Sequence, residues 1–571
     1  MAVGRECVCG LALILLCLVS PVWANIDGSA ARPNILLIVA EDMSPRVGAY
    51  GDAVARTPAI DQLARDGLRF DRVFTVSGVC APSRSSLITG VYATSMGTHQ
   101  MRTSQGVPGT DIESYEAVPP PRVKAFPELL RAHGYSTANF AKKDYQFGDP
   151  FTIWDLHLGE FVGPVDAALW RRLPLDKPWF VMMNLMATHE SRLFATGDVF
   201  PKEWEGLITA LDQERKTKIA QVTDPSHVSV PDFLPDTPPV RHSIAQHYDN
   251  IHYMDAQVGR ILEALEADGL ADNTIVIWTT DHGDGFPRAK RSVYDSGTRV
   301  PMIIRFPDRS YAAENDARLV SFVDIAPTIL GFAGVDVPDF IQGHDIFSSE
   351  RNDYVFAARD RMDATFDHVR AVRDARYRLI ENFAPELAYF RPLLFRDMFP
   401  IMKALWEGQS SATLGPAQSQ YFDAPRPRYE LYDLEKDPEE VNNLAELPAY
   451  AEIKARLIQR LQAWRDDIGD LGNVPELQMV TDMWGGVVQP VTRPPIIRQL
   501  AETVAGDASE QGREFQLIML EETTVGSSLG YRIDGGVWRL YNEPVAIAKG
   551  QSFEAKAVRY GFKESEIAGR P

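Results

Sequence analysis

The sequence predicts a doubly wound α/β domain, and three observations lead there. Two apolar runs, Asn34-Ile35-Leu36-Leu37-Ile38-Val39-Ala40 and Thr274-Ile275-Val276-Ile277-Trp278-Thr279-Thr280, have the unbroken character of strands buried on both faces. Each ends in a polar pair, Glu41-Asp42 and Asp281-His282, where ligands collect in open α/β sheets. From residue 33 to about residue 375, strand-like runs alternate with helical patterns at Ala59–Arg65, Ala125–Ala132 and His242–Leu270. At 571 residues the chain exceeds a single core, so further units are expected after this one.

In chain order, residues 1–24 come first. Arg5 precedes an apolar run, Leu11 to Val19, and Val22-Trp23-Ala24 offers a small-residue cleavage site. That pattern is a signal peptide, with an apolar run too short for a membrane span. It predicts a periplasmic or secreted protein. Three of the four cysteines, Cys7, Cys9 and Cys17, lie in this segment, and Cys80 is left alone. Exported proteins normally pair their cysteines, so a lone thiol is either a buried core residue or a chemical one.

The surroundings of Cys80 favour chemistry. Cys80-Ala81-Pro82-Ser83-Arg84 runs through Leu87-Ile88-Thr89-Gly90, and Pro82 and Ser83 suit the first turn of a helix. Its N-terminus would favour an anion at position 80, and Arg84 would lie one turn along the same face. The two acidic strand ends together offer hard oxygen ligands for calcium, with magnesium as second choice.

This segment resembles the signature of the type I sulfatases, a Cys-x-Pro-Ser-Arg motif with a Leu-Thr-Gly-like ending in which Ile88 stands for the usual Leu. The resemblance implies an alkaline-phosphatase-like fold. It also implies that Cys80 is oxidised to formylglycine (3-oxoalanine) by a formylglycine-generating enzyme during maturation. A hydrated aldehyde carries two hydroxyls on one carbon. One attacks sulfur, and the other, once deprotonated, collapses to the carbonyl and expels sulfate. The resemblance places the metal ligands at Glu41, Asp42, Cys80, Asp281 and His282. Glu41 stands where Asp is more usual.

Three further segments match this family. Ala141-Lys142-Lys143-Asp144 stands where Gly-Lys-x-His is usual, which assigns Lys142 to sulfate and puts Asp144 in place of a histidine. Recognition of the sugar is the favoured role for Asp144, over that of elimination base or loop cap. Trp179 to Leu185 reads as a strand leading to His189, a sulfate contact, and Arg288 to Asp295 carries the second sulfate lysine, Lys290. Arg84, Lys142, His189 and Lys290 with the metal would concentrate positive charge for a sulfuryl transition state. That is needed in a chain of formal net charge −20, an acidity that also argues against a nucleic-acid partner.

Residues 376–471 resemble the C-terminal sulfatase subdomain, a smaller α+β unit, with a helix near Ile453–Trp464. The Gly- and Pro-rich stretch 472–495 reads as a linker. Residues 496–571 alternate in the strand period and resemble the small all-β module appended to chitobiases. The nearest subgroup look is to the heparan N-sulfatases, on Val230 to Pro238 and Arg428 to Asp433. The expected substrate is therefore a sulfated carbohydrate, as an O-sulfate or a sulfamate. A phosphomonoesterase or phosphodiesterase of the same superfamily, and a catalytically degenerate carbohydrate-binding protein, stay open as alternatives.

Overall fold

The computed structural model describes residues 32–174, 176–194, 202, 205–501 and 515–570. The signal-peptide segment, 1–24, lies outside the described residues. No helix among those described is long and apolar enough to cross a membrane.

The central sheet has eight strands. They are β1 (Asn34–Ala40), β2 (Leu68–Phe74), β3 (Ser136–Phe140), β4 (Leu156–Leu158), β5 (Trp179–Leu185), β6 (Thr274–Thr280), β7 (Arg299–Arg305) and β8 (Glu314–Ser321), in the spatial order β4-β3-β5-β1-β6-β7-β2-β8. All neighbours run parallel except β7, which is antiparallel to both β6 and β2. Every residue of β1, β5 and β6 is buried. The period of two divides β1 between two cores. Leu36, Ile38 and Ala40 pack with Ile244, Tyr248 and Ile251 of the helix Pro238–Ala267. Ile35, Leu37 and Val39 pack on the other face with Leu87, Ile88 and Ile329. Helices thus cover both faces of a mixed sheet, and apolar runs without polar alternation are the sequence form of that arrangement.

Register then sets the site. Ala40 lies beside Leu185 on one side and Thr280 on the other. The residues that follow β1, β5 and β6 therefore emerge at one level of the sheet's carboxyl edge, and those after β3 emerge next to them.

A second, antiparallel sheet has the order β12-β11-β10-β9, made of β9 (Val355–Arg359), β10 (Val369–Arg373), β11 (Tyr377–Asn382) and β12 (Tyr429–Asp433). The helix Ala451–Ile468 covers it through Leu457, Leu461 and Trp464. The remaining strands are β13 (Ile496–Ala501), β14 (Phe515–Glu521), β15 (Ser528–Ile533), β16 (Arg539–Leu540), β17 (Val545–Ala548), β18 (Phe553–Val558) and β19 (Ala568–Arg570). They form two antiparallel sheets, β13-β14-β17 and β16-β15-β18-β19, which share a core that includes Ile518, Leu520, Phe553 and Ala555.

Two local expectations differ from what forms. The long helix expected at His242–Leu270 runs instead from Pro238 to Ala267, because Pro238 and Pro239 fit a first helical turn whose N–H groups have no partner anyway. The stretch expected as a linker contains a helix, Glu476–Trp484, whose Met479 and Val480 are buried. Val480 packs with Val107, Ile112 and Tyr115. Its apolar residues have helical spacing, but Gly- and Pro-rich flanks mask it.

One buried group gives this packing a pH signature. His368 is 7% exposed and stacks on Phe383 at 4.4 Å. Burial, and then the Arg370 cation, push its pKa down from 6.5 to about 3. Below pH 6.5 the unfolded chain therefore takes up a proton that the folded chain refuses until about pH 3. The stability this neutral ring provides is complete above that window and is lost as pH falls through it. His368→Gln is expected to flatten the fall in unfolding free energy between pH 6.5 and 4 by about one proton, or about 1.4 kcal/mol per pH unit. Denaturant titrations across that range check it, and an unchanged slope contradicts it.

Candidate active site

Cys80 is the first residue of the helix Cys80–Thr89, all ten residues of which are buried. Three of the four hydroxyls of this enclosed helix are satisfied internally, Ser86 Oγ being the exception. Ser83 Oγ donates to the Asp281 carbonyl at 2.6 Å, and Ser85 and Thr89 donate one turn back, to Ala81 and Ser85. Gly90, with φ of 70°, ends the helix. The Ser83 bond ties the helix N-terminus directly to the end of β6.

Four side chains converge here. One oxygen each of Asp42 and Asp281, a ring nitrogen of His282 and Cys80 Sγ lie within 4.8 Å of one another. His282 Nε2 is 3.3 Å from Sγ and 3.1 Å from Asp42 Oδ1. His282 Nδ1 is 2.9 Å from the Gly283 carbonyl. A carbonyl can only accept, so Nδ1 carries a proton. Burial opposes charge on the ring, but Asp281 and Asp42 outweigh it and hold its pKa well above the usual 6.5, so Nε2 also carries a proton, one that a bound cation would displace. Asp42 Oδ2 accepts from Lys290 Nζ and from the Glu190 backbone N–H, both at 2.7 Å. Asp281 Oδ1 accepts two backbone N–H groups, from Asp42 and His282, at 3.0 Å each. These outer bonds fix the orientation of both carboxylates. The donor set fits a divalent cation: two hard carboxylates dominate it, and sulfur is its one soft atom.

Glu41 faces another way. Its Oε2 meets Lys142 Nζ at 2.6 Å and its Oε1 pairs with Arg84. Asp42, at φ 46°, turns the backbone between the two carboxylates. Glu41 forms a second cluster with Asp42, Cys80 and His189. Arg84 also donates to Asn184 Oδ1 at 2.7 Å and to Asp281 Oδ2 at 3.3 Å. It therefore reaches position 80 through the surrounding carboxylates.

Lys290 Nζ lies 3.4 Å from Cys80 Sγ and 2.9 Å from Glu190 Oε1, while Arg291 holds Glu190 with two 2.8 Å bonds. His189 Nδ1 accepts the Ser191 backbone N–H at 3.3 Å, so its proton sits on Nε2. Burial holds this imidazole well below its usual pKa, against the pull of Asp42, and it is neutral. Lys142 is held well above the usual lysine value: burial opposes its charge, but Cys80, Glu41 and Asp144 outweigh that. Asp281 is driven to about 2, because His282 and Arg84 overcome burial.

A cleft of about 760 Å³ opens over this array, lined by Lys142, Asp144, His189, Arg102, Asp363 and Phe395 among others. Cys80, 2% exposed, lies behind them. Asp144 sits at the mouth, 3.6 Å from Lys142 Nζ, with its side chain 26% exposed. Lys142 and Arg102 hold it ionised despite burial.

Sequence reasoning missed Asn184, Arg102, Asp363 and the roles of Glu190 and Arg291. Glu190 and Arg291 sit beside matched residues, which is the one signal that points to them. Nothing in sequence spacing marks Arg102 or Asp363.

Comparison with known proteins agrees with this architecture. The Sulfatase family model matches residues 33–335, and the model "N-sulphoglucosamine sulphohydrolase, C-terminal" matches 285–389. An ulvan-active sulfatase of Formosa agariphila is 36% identical over 564 residues, covering 94% of this chain and 90% of its own. Human N-sulphoglucosamine sulphohydrolase is 27% identical over 477 residues, covering 77% and 91%. A solved structure in complex with D-glucosamine-2-N,6-O-disulfate shares the fold, with TM-score 0.54 at 20% identity over 78% of this chain and 99% of that one. The chain belongs to the sulfatase family.

Proposed function

We propose that this enzyme is exported and removes sulfate from a sulfated polysaccharide or its fragments, with formylglycine at position 80 and a divalent cation held by Asp42, Asp281 and His282. One observation carries the reading: Lys290 and a buried cluster of potential cation ligands surround the side chain of residue 80, and Lys142 and His189 beside that cluster line a sugar-sized cleft. The ulvan-active relative, matched along nearly the whole chain, makes ulvan oligosaccharides the first substrates to test. The match to the N-sulphoglucosamine sulphohydrolase C-terminal model makes glucosamine sulfamate the comparison.

Formylglycine, formed from Cys80 by a maturation enzyme, would supply two geminal hydroxyls, one as nucleophile and one whose loss of a proton releases sulfate. Calcium, or magnesium, would supply Lewis acidity beside position 80 and offset the buried carboxylates. The rest falls to the chain. Lys290, close to position 80, favours an anionic oxygen there. Lys142 and His189 line the wall that the sulfate must pass. Lys142 stays charged and holds equatorial oxygens as negative charge grows on them. His189, neutral with its proton on Nε2, would donate a hydrogen bond to the departing sugar oxygen or nitrogen as negative charge develops there, the leaving group taking its proton from water. Arg84 keeps Glu41 and Asp281 in place.

Asp144 suits the sugar better than the sulfur. It opens onto the cleft as an ionised acceptor, beside Arg102 and Asp363. Arg102 Nε pairs with Asp363 Oδ1 at 3.3 Å, which leaves Asp363 Oδ2 without a partner among the described residues. Two carboxylates flanking a guanidinium can accept from and donate to neighbouring hydroxyls of one ring.

Exhaustive chelation is expected to abolish desulfation, and added calcium to restore it. Asp281→Asn is expected to lower both bound metal and kcat, the latter at least about 100-fold. Elemental analysis alongside assay decides this, and full activity without metal contradicts it. Asp144→Asn is expected to raise KM about tenfold or more on ulvan oligosaccharides while changing kcat little. A fall in kcat with a trapped sulfated enzyme would instead assign Asp144 as the elimination base.

A further inference from the structure

The loop carrying Lys142 and Asp144 has an unusual backbone. Ala141 and Asp144, neither of them glycine, take φ of 63° and 56°, conformations that persist only where surrounding structure holds them. The near end of the loop is held within the central sheet: Asn184 Nδ2 donates to the Lys142 carbonyl at 2.9 Å, and Asn139 Nδ2 at 3.3 Å. The far end is held from the C-terminal β-sheets, through the turn after β18.

Tyr145, Phe147 and Tyr560 form a continuous stack. Their rings are 5.4 Å and 5.1 Å apart, with interplanar angles of 14° and 11°. Tyr560 is fully buried, and its hydroxyl donates to Glu128 Oε2 at 2.8 Å. The next residue, Gly561, donates its N–H to the Phe147 carbonyl at 3.0 Å. At φ 81° it packs so closely that a Cβ would lie 2.2 Å from the Ala117 carbonyl oxygen. Ala117 in turn donates to the Gln146 carbonyl at 2.8 Å. Around this wedge, Lys124 Nζ donates to the Gly526 carbonyl at 2.9 Å and to Ser528 Oγ at 2.6 Å, and Ser528 bonds Glu128.

We propose that Tyr560, with Gly561, is a positioning residue for the active-site loop 141–147, so that the C-terminal sandwich is a working part of the catalytic site. Its substance is mechanical. Residues 145–147 are pinned by aromatic stacking and a backbone bond from outside the catalytic sheet, and this pin fixes where the strained turn before them presents Lys142 and Asp144. The proposal rests on the roles given above to those two residues, and its first readout does not need them.

Hydrogen exchange on the full-length mature protein tests the pin without any substrate. Tyr560→Ala is expected to raise exchange of amides 142–147 by about tenfold or more while strands β1, β5 and β6 keep their protection. Tyr560→Phe, which keeps the stack and loses only the hydroxyl's bonds to Glu128 and from the Ala125 N–H, is expected to stay near wild type. If the alanine variant folds poorly, Tyr560→Leu serves, since it fills the space without stacking. Steady-state kinetics on ulvan oligosaccharides then read the consequence: kcat down about tenfold for Ala or Leu, and near wild type for Phe. Unchanged exchange at 142–147, or exchange raised evenly along the chain, overturns the proposal. Raised local exchange with unaltered kcat leaves Tyr560 a purely structural residue and also overturns it. A wild-type enzyme inactive on these sugars, with the exchange pattern as expected, counts against the substrate assignment instead, and the same kinetics are then run on glucosamine sulfamate.

Discussion

The structure turns on the burial of carboxylates without exposing the cations that pair with them. Glu41, Asp42, Asp281 and Glu190 are all 0% exposed. Each charge left unpaired there would cost several kcal/mol. Arg84, Lys290 and Arg291, themselves buried, supply the pairing. The pairing only works because β1, β5 and β6 end at one level, with β3 ending two residues short beside β5, so that groups far apart in the chain meet within hydrogen-bond distance. Once assembled, the array is rigid: most oxygens of Asp42 and Asp281 already have fixed partners. A site organised in this way does not need to reorganise when charge develops on a bound anion.

That constraint also explains why neighbouring residues differ in role. Glu41 and Asp42 are adjacent, yet the positive φ at Asp42 sends one side chain to Arg84 and Lys142 and the other to His282 and Lys290. One carboxylate thereby orients Lys142 on the wall of the cleft and the buried Arg84, while the other faces Cys80 and His282. The cleft mouth follows a different logic. Arg102, Asp144 and Asp363 come from separate loops and all have positive φ. Such strain tends to collect where recognition demands a particular presentation of side chains.

Much of this was legible in the sequence, for identifiable reasons. Apolar runs without alternation report double-sided burial, so β1 and β6 announce themselves, as do the acidic residues that close them. The Cys80 to Gly90 segment is legible because its residues act together on one short helix. The sulfatase resemblance, the α/β sheet covered by helices on both faces and the all-β end of the chain agree with what is found; the antiparallel β7 within that sheet was not foreseen. Pairings between distant loops were not legible. Asn184 looks like any strand residue until Arg84 lies against it, and Arg102 and Asp363 acquire meaning only from facing each other. The helix Glu476–Trp484 escaped notice because composition spoke louder than spacing. Its Glu476 clamps Arg361 with two 2.7 Å bonds, and so braces the wall that carries Asp363.

Whether this buried array serves an aldehyde at position 80 is addressed most directly by peptide mass spectrometry of the active protein. The account predicts a Cys80 peptide about 18 Da lighter than the thiol form, whereas other oxidations add mass. Specific activity should rise in proportion to the fraction of that lighter peptide. A fully active preparation in which residue 80 is entirely free thiol would contradict the account.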